Sequence, residues 1–190
     1  MRAFLGIQLP EAVRASLQLL QRQLASSGAD VKWVEPQDLH ITVKFLEEIS
    51  DTQREAIDML LRRLCEPQAP YSIRLGALGA FPSLTDPRVI WVGLTEGAER
   101  VKQLVENLER EGTAIPREVR EYTPHITLGR VRSSRHCQAL IAQLQTIAWQ
   151  APASWRAETV TFYQSQLSSA GPRYTVLADV PFGEARRVLE

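Results

Sequence analysis

Apolar and polar residues follow two different periods along this chain, which predicts a mixture of strands and helices. Short apolar runs at residues 3–9 and 89–96 predict buried strands, and alternation over 39–46 predicts a strand with one apolar face. Apolar residues three and four positions apart predict amphipathic helices between the strands. The remaining predicted elements are strands at 31–34, 71–81 and 122–131, a two-stranded hairpin over 155–182, and helices at 11–26, 52–65, 99–112 and 136–148.

Local signals indicate where these elements begin, bend and end. Ser50 is predicted to cap the second helix, and Ser133–Ser134 to open the fourth. The glycines within 71–81 predict a bulge or bend in that strand. A turn is predicted over 82–88, and another over 168–172 at the tip of the last hairpin. These boundaries divide the chain into short elements of ordinary length.

The order of elements occurs twice. The tripeptide His-Ile-Thr stands at 40–42 and again at 125–127, an offset of 125 − 40 = 85 residues. At the same offset the preceding strands align, with Ile7 matching Val92. Matching order in both halves indicates an internal duplication. We therefore predict an α+β fold of two similar lobes with antiparallel sheets, related by a pseudo-two-fold axis, with a central cleft and helices outside, as one domain over 1–190.

Composition narrows the possible partners and the compartment. The 190 residues are 44% hydrophobic and 23% charged, which is typical of a globular protein. The 22 basic and 22 acidic residues cancel, so a nucleic-acid ligand should be small or recognised at its end. The two cysteines match no metal or disulfide spacing, which favours a reducing cytoplasm. No signal segment or membrane-spanning run is present, so we predict a cytoplasmic protein without a membrane partner.

The doubled tripeptide is the candidate chemistry. In a strand, residues i and i+2 share a face, so His40 lies beside Thr42, and His125 beside Thr127, with the isoleucines turned to the core. Two imidazoles can act as a general acid and a general base near neutral pH. Two hydroxyls can donate hydrogen bonds to phosphate oxygens. One copy is ordinary in a strand, but two equivalent copies using two of three histidines favour a catalytic site.

Neighbouring residues extend this candidate site. Lys44 is four residues after His40, so in a regular strand it lies on the same face, and it is predicted to add positive charge at the rim. Arg130 is five residues after His125, so in a regular strand it lies on the opposite face. A bulge or turn at Gly129 would bring it back to the cleft. Three aromatic residues near the motifs either stack a terminal base or pack in the core: Trp33, Phe45 and Tyr122.

Other chemistries lack their sequence signals. The tripeptides bring no Asp, Glu or Cys as a third metal ligand, and no zinc spacing occurs. A Gly-x-Ser-x-Gly elbow, a P-loop and a dinucleotide fingerprint are also missing. The third histidine, His136, stands at the start of a predicted helix and is expected to face solvent. We therefore predict neither a metal nor a cofactor.

Four segments carry a resemblance to a known family. MRAFLGIQLPEAVR, VKWVEPQDLHITVKFLEEI, LGALGAFPSLTDPRVIWVGL and YTPHITLGRV resemble, in order and over almost the whole chain, the two-histidine (2H) phosphoesterases with paired His-x-Thr-x motifs. Within that superfamily, the four segments are similar to the RNA 2′,3′-cyclic phosphodiesterases, also called 2′-5′ RNA ligase-like proteins. The resemblance implies metal-free opening of a 2′,3′-cyclic phosphate at an RNA 3′ end to leave a 2′-phosphate. Many members also join tRNA halves through a 2′-5′ linkage.

The resemblance also implies roles for the site residues. His40 would be the proton donor to the departing 3′ oxygen, and His125 the proton acceptor that activates water. Thr42 and Thr127 would hold the phosphate oxygens, and Arg130 would contact phosphate or base. The implied partners are RNA ends with a 2′,3′-cyclic phosphate or small cyclic nucleotides, bound by a monomer.

Two alternatives and one departure complete the predictions. The same cleft would serve a non-catalytic module that binds RNA ends, or a phosphodiesterase acting on a small cyclic nucleotide. The departure is at Glu47–Glu48, where the family often has Gly-Glu. We expect it to alter the turn and leave the chemistry intact.

Overall fold

An antiparallel sheet and four helices form the part of the chain that the computed structural model describes, residues 1–113, 115–117, 121–168 and 171–183. The strands are β1 (Arg2–Gln8), β2 (Val31–Trp33), β3 (His40–Glu48), β4 (Tyr71–Ser83), β5 (Asp86–Glu96), β6 (His125–Val131), β7 (Trp155–Ala157), β8 (Thr159–Ser168) and β9 (Gly171–Pro181). The helices are α1 (Glu11–Ala25), α2 (Asp51–Cys65), α3 (Ala98–Glu111) and α4 (Cys137–Thr146). A 3-10 turn at Pro36–Asp38 leads into β3.

The strand order expresses the duplication. The order is β7-β4-β5-β6-β3-β1-β8-β9, with β2 paired to β6. Exchanging β3 with β6, β1 with β5, β8 with β4 and β9 with β7 gives the same order read from the other end, so every strand keeps its neighbours. At its centre Ile41 lies opposite Ile126, and these two residues are 85 apart in sequence. The pseudo-two-fold axis passes between them, which confirms the predicted α+β fold and joins its two halves into one sheet.

The helices cover one face of the sheet in two pairs. α1 contacts α4, and α2 contacts α3, so each pair takes one helix from each half. Their buried residues follow the predicted helical period, as in α1 at Val13, Leu17, Leu20 and Leu24. Burial of these rows against the sheet drives the helices onto that face and leaves the opposite face open as the cleft.

One predicted helix start is confirmed and one is wrong. Ser50 Oγ accepts a hydrogen bond from Gln53 N at 3.2 Å, and Gln53 Oε1 accepts from Ser50 N at 2.9 Å, which forms a capping box at α2. α4 does not open on Ser133–Ser134. Its N-cap is His136, which adopts a left-handed φ of 50° and makes no side-chain cap. A tight turn, with Cys137 N bonded to Ser134 O at 3.1 Å, sets that start.

Sheet pairing changes several predicted strand ends. β4 and β5 pair through most of the predicted turn at 82–88, as far as Ser83 opposite Asp86. The predicted last hairpin divides, because Trp155–Ala157 pairs with β4 at the far end of the sheet while β8 and β9 form the hairpin. The bulge predicted from glycines in 71–81 is confirmed by a register shift in β4. Pairing partners distant in sequence decide these ends, and a local pattern does not contain them.

Membrane and thiol features complete the fold. Within the described ranges, no helix is long and apolar enough to cross a membrane. Cys65 is buried and Cys137 half-buried, and both thiols are free. Burial raises the pKa of the Cys65 thiol to about 12, so this sulfur stays protonated and unreactive at neutral pH.

Glu47 lies in a backbone conformation that favours glycine. Its φ is 57°, at a register shift between β1 and β3. A side chain in this region costs about 1–2 kcal/mol, and glycine is the usual residue of such a bulge. We expect Glu47→Gly to raise the free energy of unfolding by about 1 kcal/mol in urea denaturation, and Glu47→Ala, which keeps a Cβ, to give no gain. An equal gain in both variants would contradict backbone strain as the cause.

Candidate active site

The two His-Ile-Thr segments lie side by side at the centre of the sheet. Because β3 and β6 are antiparallel with Ile41 opposite Ile126, each histidine lies across from the threonine of the other strand. Both isoleucines are fully buried on the helix side. The four polar side chains are half-buried on the cleft side: His40, Thr42, His125 and Thr127. The structure thus brings together the imidazoles and hydroxyls that the strand parity predicts on one face.

Both imidazoles are held in the same way. His40 Nδ1 lies 2.6 Å from Asp38 O, and His125 Nδ1 lies 2.6 Å from Thr123 O. A carbonyl oxygen only accepts, so each Nδ1–H donates and the neutral ring leaves Nε2 as the nitrogen that exchanges protons. His40 Nε2 is 3.0 Å from Thr42 Oγ1 on the cleft face. Backbone carbonyls therefore take the orienting role that a carboxylate has in other acid–base sites.

Aromatic rings fix the plane of His40. Its imidazole stacks on Phe4, with ring centroids 4.8 Å apart and an interplanar angle of 30°. Phe4 in turn stacks on Tyr163 at 4.7 Å, and the ring of Tyr174 meets His40 at 90°. This packing limits ring rotation and shields the imidazole from water.

A second aromatic wall stands behind His125. Phe81 meets its ring edge-on at 5.2 Å, and Trp91 lies at 5.9 Å. Trp91 takes this position because residue 79 is glycine, since a Cβ at Gly79 would lie 2.3 Å from the indole. The two imidazoles therefore have aromatic supports of different geometry, stacked for His40 and edge-on for His125.

The pKa of each imidazole lies below its usual value of 6.5. For His40, burial lowers the pKa, the hydrogen bond to Asp38 O raises it, and the nearby charge of His125 lowers it. For His125, burial again lowers the pKa, the bond to Thr123 O raises it, and the Arg130 guanidinium lowers it. The two rings are thus close enough to influence each other's titration.

Lys44 does not lie at the rim of the cleft, and that prediction is wrong. A register shift between β1 and β3 puts both Val43 and Lys44 on the helix side. Lys44 is 2% exposed and forms an ion pair with Glu109 of α3. Beyond the shift the alternation is reversed, so Phe45 turns to the cleft and is 56% exposed.

An equivalent bulge turns Arg130 to the cleft. The register between β5 and β6 shifts after Thr127, and Leu128 and Gly129 are both buried. A Cβ at Gly129 would lie 2.7 Å from Val31 of β2, so glycine permits the close pairing of β2 here. Arg130 then lies exposed on the cleft face, as a bulge at Gly129 requires. At the offset of 85 it is the counterpart of Phe45.

A cavity of about 520 Å³ opens beside the reaction centre on one side of the pseudo-two-fold axis. His40, Thr42 and Thr127 line its inner end, and His125 is not among its lining residues. Trp33 and Phe45 line it too, so both are available to stack a base. Two segments form its other walls, one between Lys32 and Asp38 and the other from the paired ends of β8 and β9, at Ser168 and Gly171–Tyr174. The two histidines and two threonines are therefore arranged with pseudo-two-fold symmetry, whereas the cavity lies on the His40 side only.

Tyr122 belongs to the packing and not to this cavity. It packs against the core, and its hydroxyl donates to Thr42 O at 2.5 Å, which ties the segment before β6 to β3. Burial raises the pKa of this phenol. Of the two interpretations open from sequence, core packing therefore holds for Tyr122.

Several cavity residues carry no sequence signal. Asp38, Arg173 and Tyr174 line it, and the last two come from the start of β9, more than 130 residues after His40. Burial raises the pKa of the Asp38 carboxyl, with a further rise from Glu35. The start of β9 lies here because β9 pairs with β8, and β8 pairs with β1. Among the described residues, no group of three or more His, Cys, Asp or Glu side chains is placed to hold a metal ion.

A fold of two halves around paired histidines and threonines defines a phosphoesterase-like protein, and comparison with known families gives the assignment. Residues 7–91 and 92–174 each match the model of the family described as LigT like Phosphoesterase. The chain belongs to this family. The two matches divide the chain near the middle, in agreement with the duplication, and the predicted 2H phosphoesterase membership is confirmed.

Named relatives of this chain share one activity. An RNA 2′,3′-cyclic phosphodiesterase of Methanothermobacter thermautotrophicus is 34% identical over 178 residues, covering 92% of this chain and 95% of the relative. A protein of the same name from Aquifex aeolicus is 27% identical over 187 residues, covering 96% and 97%.

Solved structures match the fold. The structure of a Thermus thermophilus protein has a TM-score of 0.79 and 30% identity, covering 97% of this chain and 99% of that one. The structure of Escherichia coli LigT complexed with 3′-AMP has a TM-score of 0.73 and 24% identity, covering 95% and 96%. At that identity, the second likeness concerns the fold alone.

Proposed function

We propose that this protein is an RNA 2′,3′-cyclic phosphodiesterase that hydrolyses a terminal 2′,3′-cyclic phosphate to a 2′-phosphate without a metal. One observation carries the proposal: two imidazoles with the same tautomer flank a single position on the cleft face, each beside a threonine hydroxyl. The names of the family's relatives support the same activity.

The histidines divide the proton transfers. His125 Nε2 takes a proton from water as the water oxygen attacks phosphorus. His40 Nε2–H gives its proton to the 3′ oxygen as the P–O3′ bond breaks, which leaves the phosphate on the 2′ oxygen. The antiparallel register places the imidazoles on opposite sides of the Ile41–Ile126 pair, as an in-line displacement needs. The stacked Phe4 ring behind His40 suits the histidine that carries positive charge, because a π-face attracts a cation.

The hydroxyls hold the phosphate between the histidines. Thr42 and Thr127 donate to the two non-bridging oxygens, whose negative charge grows as the attacking oxygen adds to phosphorus. Their strand positions are fixed by the same pairing that places the histidines. Arg130 adds positive charge from the cavity side and contacts phosphate or base. Trp33 and Phe45 supply the aromatic surface for the terminal base.

Several wider features follow from the same site. A 5′-hydroxyl of a second RNA in place of water gives 2′-5′ ligation, because the cyclic phosphate holds the energy for either reaction. We propose that the protein acts as a cytoplasmic monomer and that residues 1–190 form one domain, since both halves contribute to one site and one sheet.

The lowered pKa values predict the pH dependence of kcat/KM. The active free enzyme has one protonated imidazole and one neutral imidazole, so the rate falls on both sides of a maximum. Because burial holds both pKa values below 6.5, we expect the maximum of kcat/KM below pH 6.5. The bound anionic phosphate raises both values, so the kcat profile should lie at higher pH. Steady-state rates from pH 4.5 to 8.5 check this, and a kcat/KM maximum above pH 7 would contradict it.

Product analysis tests the proposed function. An RNA oligonucleotide with a terminal 2′,3′-cyclic phosphate is incubated with the protein in EDTA, and the product is separated by chromatography against 2′- and 3′-phosphate standards. We expect turnover to the 2′-phosphate, and turnover at least about a hundredfold slower from a His40→Ala preparation purified in parallel, which excludes a contaminating nuclease. Tight binding without turnover anywhere between pH 5 and 9 would replace the proposal with a binding module. Loss of turnover in EDTA would contradict the metal-free mechanism.

A further inference from the structure

Two cations of the cavity have no part in the mechanism above. Lys32 and Arg173 both line the cavity that opens beside His40, and both are exposed. Neither forms an ion pair with any residue in the described ranges, whereas Arg14 and Arg62 each pair with a carboxylate on their own helix. The cavity lining therefore carries three cationic side chains, including Arg130, in a chain whose net charge is zero.

Two separate elements bring these cations together. Lys32 of β2 is paired in register with Arg130 of β6, so the two side chains lie next to each other. The Lys32 ammonium reaches the start of β9, because a Cβ on Gly171 would lie 3.5 Å from Lys32 Nζ. Arg173 lies two residues farther along the same strand. The two cations thus face one side of the cavity mouth.

Their distance from the reaction centre fits a second phosphate. Lys32 is level with Arg130, which is three residues beyond Thr127 along β6. At 3.3 Å per residue the backbone of Arg130 lies about 10 Å along β6 from Thr127, and Lys32 lies one strand spacing, about 4.8 Å, to the side. The cavity lining also contains the carboxylates of Glu35 and Asp38, which leaves a net positive charge that attracts an anion.

We propose that Lys32 and Arg173 form a second phosphate subsite, which binds the phosphodiester on the 5′ side of the terminal nucleotide of an RNA. This inference rests on the proposed function and deepens it. The reacting cyclic phosphate lies between the histidines, the terminal nucleoside fills the cavity, and the next phosphate reaches the two cations. A nucleoside 2′,3′-cyclic phosphate has no such group, so the subsite selects oligonucleotides over mononucleotides.

A comparison of two substrates tests the subsite. kcat/KM is measured for a nucleoside 2′,3′-cyclic phosphate and for a dinucleotide with the same cyclic end. In the double variant Lys32→Ala/Arg173→Ala, the value for the dinucleotide should fall about tenfold or more, since two charged contacts are lost. The value for the mononucleotide should change less than about threefold. Arg132→Ala removes an exposed arginine that does not line the cavity, and it should leave both values unchanged.

The outcomes separate this subsite from the proposed function. Equal losses on both substrates, or no loss on either, would overturn the subsite while the phosphodiesterase activity stands. If neither substrate turns over in the wild-type protein, the proposed function fails. Measurements of ligand affinity then test whether the subsite exists. A labelled dinucleotide with a 3′-terminal phosphate should bind more tightly than a nucleoside 3′-monophosphate. The double variant should lose that advantage and reduce the salt slope by about 0.7, the value for one phosphate of a single strand; equal affinities for both ligands would overturn the subsite.

Discussion

Replacing either motif histidine by alanine is expected to lower kcat for a 2′,3′-cyclic phosphate about 10²–10⁴-fold, the usual contribution of a positioned acid or base. His40→Ala removes the proton donor to the 3′ oxygen, and His125→Ala removes the acceptor that activates water. Both rings are half-buried on the cleft face and share the same backbone anchor through Nδ1. Steady-state kinetics with purified variants measures the loss.

The third histidine supplies a matched control for that experiment. His136 is exposed at the start of α4, away from the cavity lining. His136→Ala should keep the wild-type kcat. Circular dichroism and thermal unfolding of all three variants separate a chemical loss from a folding defect. Full activity in either His40→Ala or His125→Ala would contradict the two-histidine mechanism.

Removal of one phosphate-binding hydroxyl is expected to lower kcat about 10²–10³-fold, as for loss of one oxyanion donor. Thr42→Val and Thr127→Val keep the β-branched shape and delete only the donor. KM should change less than kcat, because the hydrogen bonds strengthen as charge develops on the phosphate oxygens.

Serine variants and a distant threonine test the specificity of that loss. Thr42→Ser and Thr127→Ser restore a hydroxyl and should recover most of the lost rate. Thr175→Val changes an exposed threonine on β9 that does not line the cavity, and it should have no effect on kcat. If the valine variants raise KM alone, the hydroxyls bind the substrate and the transition state equally and do not accelerate the chemical step.

The centre of the site could be predicted because strand parity is local. Period-two alternation puts His40 with Thr42, and it puts Ile41 in the core, where the structure has it fully buried. The matching second copy predicts the pseudo-symmetry, and the register of Ile41 opposite Ile126 agrees with it. A few consecutive residues in each of the two copies were enough for these predictions.

The face of a side chain was predicted wrongly from strand alternation where a bulge contains no glycine to indicate it. The bulge in β6 could be suggested because Gly129 stands there, and Arg130 faces the cleft accordingly. The equivalent bulge in β3 falls at Val43–Lys44, which contain no glycine. Lys44 was therefore predicted on the wrong face, and Phe45 in the cavity was not expected from its parity. Pairing with β1 decides this register, and the local sequence does not show it.

The rest of the cavity depends on contacts across the whole chain. Arg173 and Tyr174 reach the site only because β8 pairs with β1, next to β3. β7 likewise leaves the predicted hairpin to pair with β4. Such non-local pairings have no signature in a short window of sequence. The chemistry of the site could thus be predicted from sequence, while the shape that selects a substrate could not.

The central claim is that two halves of one chain build a single acid–base site, and a double-mutant cycle on the histidines tests it most directly. kcat for hydrolysis of a cyclic-phosphate dinucleotide is measured for His40→Ala, His125→Ala and the double variant. If the imidazoles act on one phosphate in one step, the double variant should lose little more than the worse single variant. Losses that multiply would mean that the two histidines act independently, and would contradict the shared site.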